Sequence, residues 1–168
     1  LFKRREDGMP GNETQDEELA EACEPYRFRQ EDGRIIGEHE GAHFFTIGQR
    51  KGMNIGGYNE PLFVIGTDVI NNIIYVGEGQ SHPGLHRKGL FIRNDEVHWI
   101  RRDMRMIFGE SGDYLVRIRY RQPLQNARLY CRKNGVYIIF NSMQRGITPG
   151  QFAAWYRDDE VIGSGVIS

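Results

Sequence analysis

The stretch Tyr114-Leu-Val-Arg-Ile-Arg-Tyr-Arg-Gln122 alternates with the two-residue period of a β-strand. Tyr114, Val116, Ile118 and Tyr120 fall on one face, and Leu115, Arg117, Arg119 and Arg121 on the other. The first face can pack a core. The second carries guanidinium groups repeating at roughly 6.6 Å, two residues of strand rise. Charges stacked in this way repel unless a polyanion lies across them, and a planar, bidentate, permanently charged group suits phosphate. A solvated outer face of a barrel strand is the competing reading, and the distribution of charge along the chain favours the first.

The net charge of -1 hides an asymmetry. Residues 1–40 hold six Lys/Arg against twelve Asp/Glu, whereas residues 98–133 hold nine against three. Only Lys3, Lys51, Lys88 and Lys133 among the 22 basic residues are lysines. A localised, arginine-rich patch of this kind points to a polyanionic partner and to geometric recognition of phosphate or base.

At 168 residues the chain suits one domain or two small ones. No apolar run approaches the ~20 residues of a membrane span, and no signal-peptide pattern is present. Cys23 and Cys131 stand alone, without the spacing of a zinc site or a disulfide framework, which suits a reducing cytoplasm. The chain opens on Leu1 and is expected to be a piece of a longer protein.

Residues 1–13 read as a flexible lead-in, followed by a short helix behind an N-cap at Thr14 and ending before Pro25. Cys23 is expected to be buried in that helix. From Tyr26 the pattern becomes short β segments. Tyr26–Gln30 and Arg34–Gly37 read as a hairpin across Glu31-Asp32-Gly33, and Phe44–Ile47 as a further strand. Leu62–Gly66 pairs with Ile73–Val76 across Asn71-Asn72. Strands at Gly89–Ile92, Glu96–Ile100 and 114–121 follow. Ala127–Arg132 and Val136–Phe140 join across Asn134-Gly135, and Phe152–Tyr156 and Val161–Ile167 close the chain. Many short strands with almost no helix indicate a small barrel or sandwich. A break near Gly84–Lys88 divides the chain into a linker and short helix (1–25), a central β module (26–88) and a second β module (89–168).

No catalytic constellation stands out. His39 and His43, and His82 and His86, have a helical ligand spacing, but Gly41 and Pro83-Gly84 interrupt the intervals and no cysteines accompany them, so no metal site is assigned. Thr46-Ile-Gly-Gln-Arg-Lys-Gly52 is glycine-rich and basic without matching a phosphate-binding loop. It reads either as turn glycines with two solvated cations, Arg50 and Lys51, or as a loop touching RNA or another domain. Thr148-Pro-Gly-Gln151 carries the type II turn preference and presents Gln151 at the mouth of the next strand.

Gly37-Glu-His-Glu-Gly41, Thr46–Gly52, Ile55-Gly-Gly57, Tyr75-Val-Gly77, His82-Pro83, Arg119-Tyr-Arg-Gln-Pro123 and Thr148–Gln151 occur in this order. Together they closely resemble the C-terminal half of the bacterial tRNA-specific 2-thiouridylases (the MnmA/TrmU family), from about Tyr26 to Ile167. The resemblance implies an enzyme that uses ATP, with magnesium, to adenylate C2 of the wobble uridine of certain tRNAs and then delivers sulfur from a cysteine persulfide. It places the ATP site and catalytic cysteines in an N-terminal domain. Behind that domain it implies a small central β domain and a β-barrel like the second domain of elongation factor Tu, both holding tRNA. Arg119 and Tyr120 match one family tRNA contact and Gln151 another. The family's Ser-Gly-Gly-x-Asp-Ser type loop is absent from this sequence, and Cys23, flanked by Glu-Ala and Glu-Pro, does not match the persulfide cysteine's setting.

The expectation is therefore a mostly β chain of two small modules, the second barrel-like, that binds and orients tRNA through Arg117, Arg119, Tyr120, Arg121, Gln151, Arg50 and Lys51. It holds no cofactor and no catalytic residue of its own. The parent would be a monomeric cytoplasmic sulfurtransferase served by a sulfur-relay donor. An alternative reading is a protein-interaction module that docks that donor or the catalytic domain.

Overall fold

The computed structural model describes residues 13–168, and the fold it shows is mostly β. The lead-in read over 1–13 lies, through residue 12, outside the described residues. One α-helix, α1 (Glu13–Cys23), precedes nine strands: β1 (Leu62–Asp68), β2 (Ile73–Glu78), β3 (His86–Arg93), β4 (Val97–Trp99), β5 (Ser111–Arg117), β6 (Gln125–Arg132), β7 (Gly135–Arg145), β8 (Phe152–Arg157) and β9 (Glu160–Val166). β1 and β2 form an antiparallel two-stranded sheet. The other seven form one antiparallel sheet in the order β3-β7-β6-β5-β8-β9-β4.

That order dictates the shape. β3 and β4 are the two edges of the sheet, yet only Asn94–Glu96 separates them in sequence. Two edges can be joined by three residues only if the sheet curls back on itself. The glycines of β9 allow the closure, since a Cβ on Gly165 would lie 2.6 Å from Ile92 on β3. Alternate side chains point inward to the shared core. Leu90, Ile92, Val116, Leu129, Ile138, Phe140, Trp155 and Ile162 are all essentially inaccessible.

β7 lacks the alternation of a half-buried strand because its outer face is also covered. Leu19 and Cys23 of α1 pack on Tyr137, with Phe91, Tyr130 and Ile139 around them. The helix is fixed at both ends. Near its start, Asp16 pairs with the buried Arg132 at 2.6 Å, and at its end the Cys23 thiol donates to the Leu90 carbonyl at 3.2 Å. Gly89 makes this approach possible, for a Cβ there would lie 2.7 Å from the Cys23 sulfur. Cys23 is buried as expected, and desolvation pushes its thiol up to about 12.

Several local expectations are corrected. Thr14 lies inside α1 rather than at its N-cap. The hairpin over Tyr26–Gly37 is absent: the Asp32 carboxylate accepts from Arg29 N at 2.7 Å and closes a short 3-10 turn, Gln30–Asp32. Ile35 is 94% exposed, so no apolar face drives pairing there. Phe44–Ile47 is a 3-10 turn followed by a tight turn, with Gly48 at φ +87° and Gln49 Oε1 accepting from Thr46 N at 3.1 Å. The β6–β7 turn is Lys133-Asn134, one residue earlier than read. β5 runs 111–117 rather than 114–121, and this shift matters most for the site.

Candidate nucleic-acid interface

β5 stops at Arg117 for a local reason. The Gln122 side-chain carbonyl accepts from Ile118 N at 3.1 Å, taking a backbone donor that a continuing ladder would use. Gln122 N donates back to Arg119 O at 3.1 Å, and Pro123 then lacks a donor altogether. Residues 118–122 are thus a turn, not strand. Tyr120, which alternation placed on the packed face, is 90% exposed at the tip of this turn. Of the three arginines read on one strand face, only Arg117 stands on the strand.

Each arginine has a different setting. Arg117 Nη1 donates to Tyr120 O at 3.1 Å, and its guanidinium lies 5.0 Å over the Tyr156 ring. Its Nε is buried and without a partner among the described residues. Arg119 Nη2 donates to Gly146 O at 2.8 Å while the rest of the side chain reaches solvent. Arg121 is exposed.

The Gly146–Gln151 loop lies against this turn. Gly146 has φ +68° and its carbonyl also accepts from Thr148 Oγ1 at 3.1 Å. Gly150, at φ +85°, gives the type II turn expected of Thr148–Gln151, and Gln151 N closes it to Thr148 O at 3.3 Å. Gln151 Oε1 is buried without a partner among the described residues. β5 and β8 pair with Arg117 opposite Ala154. Phe152, the first residue of β8, is 66% exposed.

The Thr46–Gly52 loop meets the same point. A Cβ on Gly146 would lie 3.3 Å from Ile47 O and would collide with the Arg119 guanidinium. The loop is tied to β1 through Gly48 N to Val64 O at 2.7 Å, and to itself through Gln49 Nε2 to Lys51 O at 2.8 Å. Arg50 and Lys51 are exposed on it. Arg145, just before Gly146, lies 4.7 Å over the Phe63 ring of β1.

The positive charge of this region is not balanced by ion pairs among the described residues. Among the described residues, none of Arg50, Lys51, Arg117, Arg119, Arg121 and Arg145 pairs with a carboxylate. Arg93, Arg101, Arg128 and Arg132 all do, with Asp95 and Glu96, Asp103 and Glu160, Asp113, and Asp16 respectively. Of the nine basic residues in 98–133, Arg101, Arg128 and Arg132 are paired with carboxylates, Arg117, Arg119 and Arg121 gather here, and Arg102, Arg105 and Lys133 lie elsewhere without a carboxylate partner among the described residues. Sequence supplies a signal for this that alternation misses: no Asp or Glu occurs from Tyr114 to Arg157 or from Gly41 to Asn59. Gln122, Gln144, Arg145 and Gly146 belong to the site and are not foreshadowed by strand periodicity.

Of the histidines, His82, His86 and His43 are engaged locally, whereas His39 Nδ1 is buried with no partner among the described residues. His82 Nδ1 accepts from Gly84 N at 3.1 Å, His86 Nε2 lies 3.0 Å from Gln80 O, and His43 packs on Phe44 with centroids 4.0 Å apart. A cavity of about 490 Å³ lies at the opposite end of β5, lined by Ser111, Gly112, Tyr114 and Arg157 among others. No described helix is long and apolar enough to cross a membrane.

Two family models match the chain. Residues 18–78 match the tRNA methyl transferase PRC-barrel domain, and residues 90–167, which hold nearly all of the seven-stranded sheet, match the aminomethyltransferase beta-barrel domain. The tRNA-specific 2-thiouridylase MnmA of Christiangramia forsetii is 53% identical over 152 residues, 90% of this chain. The chain belongs to the tRNA-specific 2-thiouridylase family. The 2-thiouridylase of Flavobacterium johnsoniae is 52% identical over 91% of the chain, and that of Halalkalibacterium halodurans 41% over 86%. The chain spans only 38–39% of the length of these 2-thiouridylases and corresponds to their C-terminal part.

Proposed function

We propose that this chain is the tRNA-holding part of an ATP-dependent tRNA-uridine 2-sulfurtransferase that makes 2-thiouridine at the wobble position. The observation that carries the reading is the cluster of cations with no carboxylate partner among the described residues, around a rigid turn bearing the exposed Tyr120. In that role Arg119, Arg121, Arg50 and Lys51 face phosphates, Arg117 stiffens the turn beneath Tyr120, and Gln151 offers its amide to a base edge or phosphate. Tyr120 stacks on an unpaired base, a contact worth roughly 1–3 kcal/mol. ATP with magnesium, and the persulfide chemistry, belong in this reading to the rest of the parent, a monomer working in the cytoplasm. Cys23, buried under α1 and held as a thiol, is not assigned the sulfur-carrying role.

The test is a titration of the chain with an unmodified tRNA transcript carrying uridine at the wobble position, at several salt concentrations. The reading expects log K to fall linearly with log salt. Salt-independent binding, or none, counts against it.

A second reading has its own observation, on a different surface. At the β1–β2 tip the Asp68 carboxylate accepts from Ile70 N and Asn71 N at 3.1 and 3.0 Å, holding Ile70 94% exposed. A rigid apolar knob suits a protein contact, with a sulfur-relay donor or with the remainder of the parent chain. Replacing Ile70 by Ser and measuring capture of the purified donor tests it, and unchanged capture refutes it.

A further inference from the structure

Gln122 has no charge and is only half-exposed, yet it joins three parts of the site. Its Oε1 accepts from Ile118 N at 3.1 Å, and its Nε2 donates to Gln144 Oε1 at 2.8 Å. Gln144 is 4% exposed on β7, and its own Nε2 donates to Ser142 O at 3.1 Å. Two residues beyond Gln144, just past the end of β7, is Gly146, whose carbonyl takes the Arg119 guanidinium. The turn over 118–122 is therefore attached at two points, to β7 by the amide chain at its end and to the loop that follows β7 by Arg119. Between these points lie Tyr120 and Arg121, both projecting outward.

We propose that Gln122, acting through the buried Gln144, is a positioning residue for RNA: the amide chain holds the 118–122 turn in the shape that presents Tyr120 and Arg121 together. The inference rests on the tRNA-holding role assigned to this surface. A turn carrying two arginines would otherwise spread under its own repulsion and sample many shapes, and ordering it on contact would cost affinity. With Ile118 N satisfied by Gln122, the turn is closed before RNA arrives. Gln144 supplies the fixed end of the chain, because a nearly inaccessible amide with both its oxygen and its nitrogen engaged has one orientation available.

The consequence separates positioning from direct contact. Gln144 is too buried to touch RNA, so an effect of Gln144→Leu on RNA binding has to travel through Gln122. Gln122 is uncharged, so its loss removes no cation from the site and leaves the salt slope, which counts the phosphates neutralised by cations, unchanged. A merely structural role would lower the melting temperature without changing the affinity of the folded protein.

The experiment measures tRNA transcript affinity and its salt slope for the unaltered chain, Gln122→Ala, Gln144→Leu, the double variant and Arg121→Ala, with melting temperatures alongside. The expected result is a five- to tenfold weaker affinity for each glutamine variant at unchanged salt slope, with the double variant no weaker than either single one. Arg121→Ala instead lowers the slope. Glutamine variants that bind as the unaltered chain does, while Arg121→Ala weakens binding, overturn the positioning role and leave the tRNA-holding reading standing. An effect of Gln122→Ala without one of Gln144→Leu also overturns it, in favour of direct contact. If Arg121→Ala too is without effect, the tRNA-holding reading itself fails. Should Gln144→Leu not fold, Gln122→Ala decides alone, because an unchanged affinity there excludes positioning.

Discussion

Arg119 and Gly146 meet as donor and acceptor, with Arg119 Nη2 2.8 Å from the Gly146 carbonyl oxygen. The contact needs a residue without a side chain: Gly146 sits at φ +68°, and a Cβ there would run into the same guanidinium. The turn bearing Tyr120 and the loop bearing Gln151 are joined through this one carbonyl, which Thr148 Oγ1 also engages.

Gly146→Ala should therefore damage the site more than the fold. The left-handed backbone costs about 1 kcal/mol for alanine, and Arg119 has to leave its carbonyl. A melting temperature lowered by a few degrees with tRNA affinity down about tenfold is the expected pair of results. Thermal melts and equilibrium binding on the same preparation check it.

Gly89 serves the helix as Gly146 serves the turn. Its Cβ would meet the Cys23 sulfur and Ile139 Cδ1, both at 2.7 Å, and the Ile138 carbonyl at 3.1 Å. Gly89→Ala should push α1 off β3 and β7 and destabilise the chain by about 1–3 kcal/mol, as overpacking does. Urea denaturation measures this, and limited proteolysis should cut near Cys23 first.

The Cys23 thiol gives a pH signature. Burial raises its pKa from the ordinary 9.0 to about 12, so the unfolded chain loses this proton first. Its contribution to stability is complete below about pH 9 and is lost as pH rises from there toward 12, at about 1.4 kcal/mol per pH unit within that window. Cys23→Ala should flatten that part of the stability profile. Alkylation by iodoacetamide at pH 8 should be slow in the native chain and fast in urea.

The mostly β architecture and most strands of the seven-stranded sheet are legible in the sequence, because inward-facing residues such as Val116, Leu129, Ile138 and Trp155 have to alternate with outward-facing ones. The region between α1 and Leu62 is not, because Asp32 and Gln49 satisfy backbone donors with their side chains and replace strands by turns. Asp32 and Gln49 look no different in sequence from solvent-facing polar residues. The same mechanism hid the site. Alternation continues through Tyr120, and nothing in it reveals that the Gln122 amide ends β5 at Arg117. The family motif around Arg119 and Tyr120 falls on this exposed turn, where periodicity puts Tyr120 on the packed face.

The central claim is that cations lacking carboxylate partners around the Tyr120 turn neutralise tRNA phosphates. The measurement that tests it most directly is the salt dependence of tRNA binding by the unaltered chain and by the Arg119→Ala/Arg121→Ala double variant. At about 0.7–0.9 of slope per phosphate contact, the double variant should bind more weakly at every salt concentration, with a slope shallower by about 1.5. Identical affinity and slope for the two proteins would contradict the claim and leave these arginines as a solvated surface.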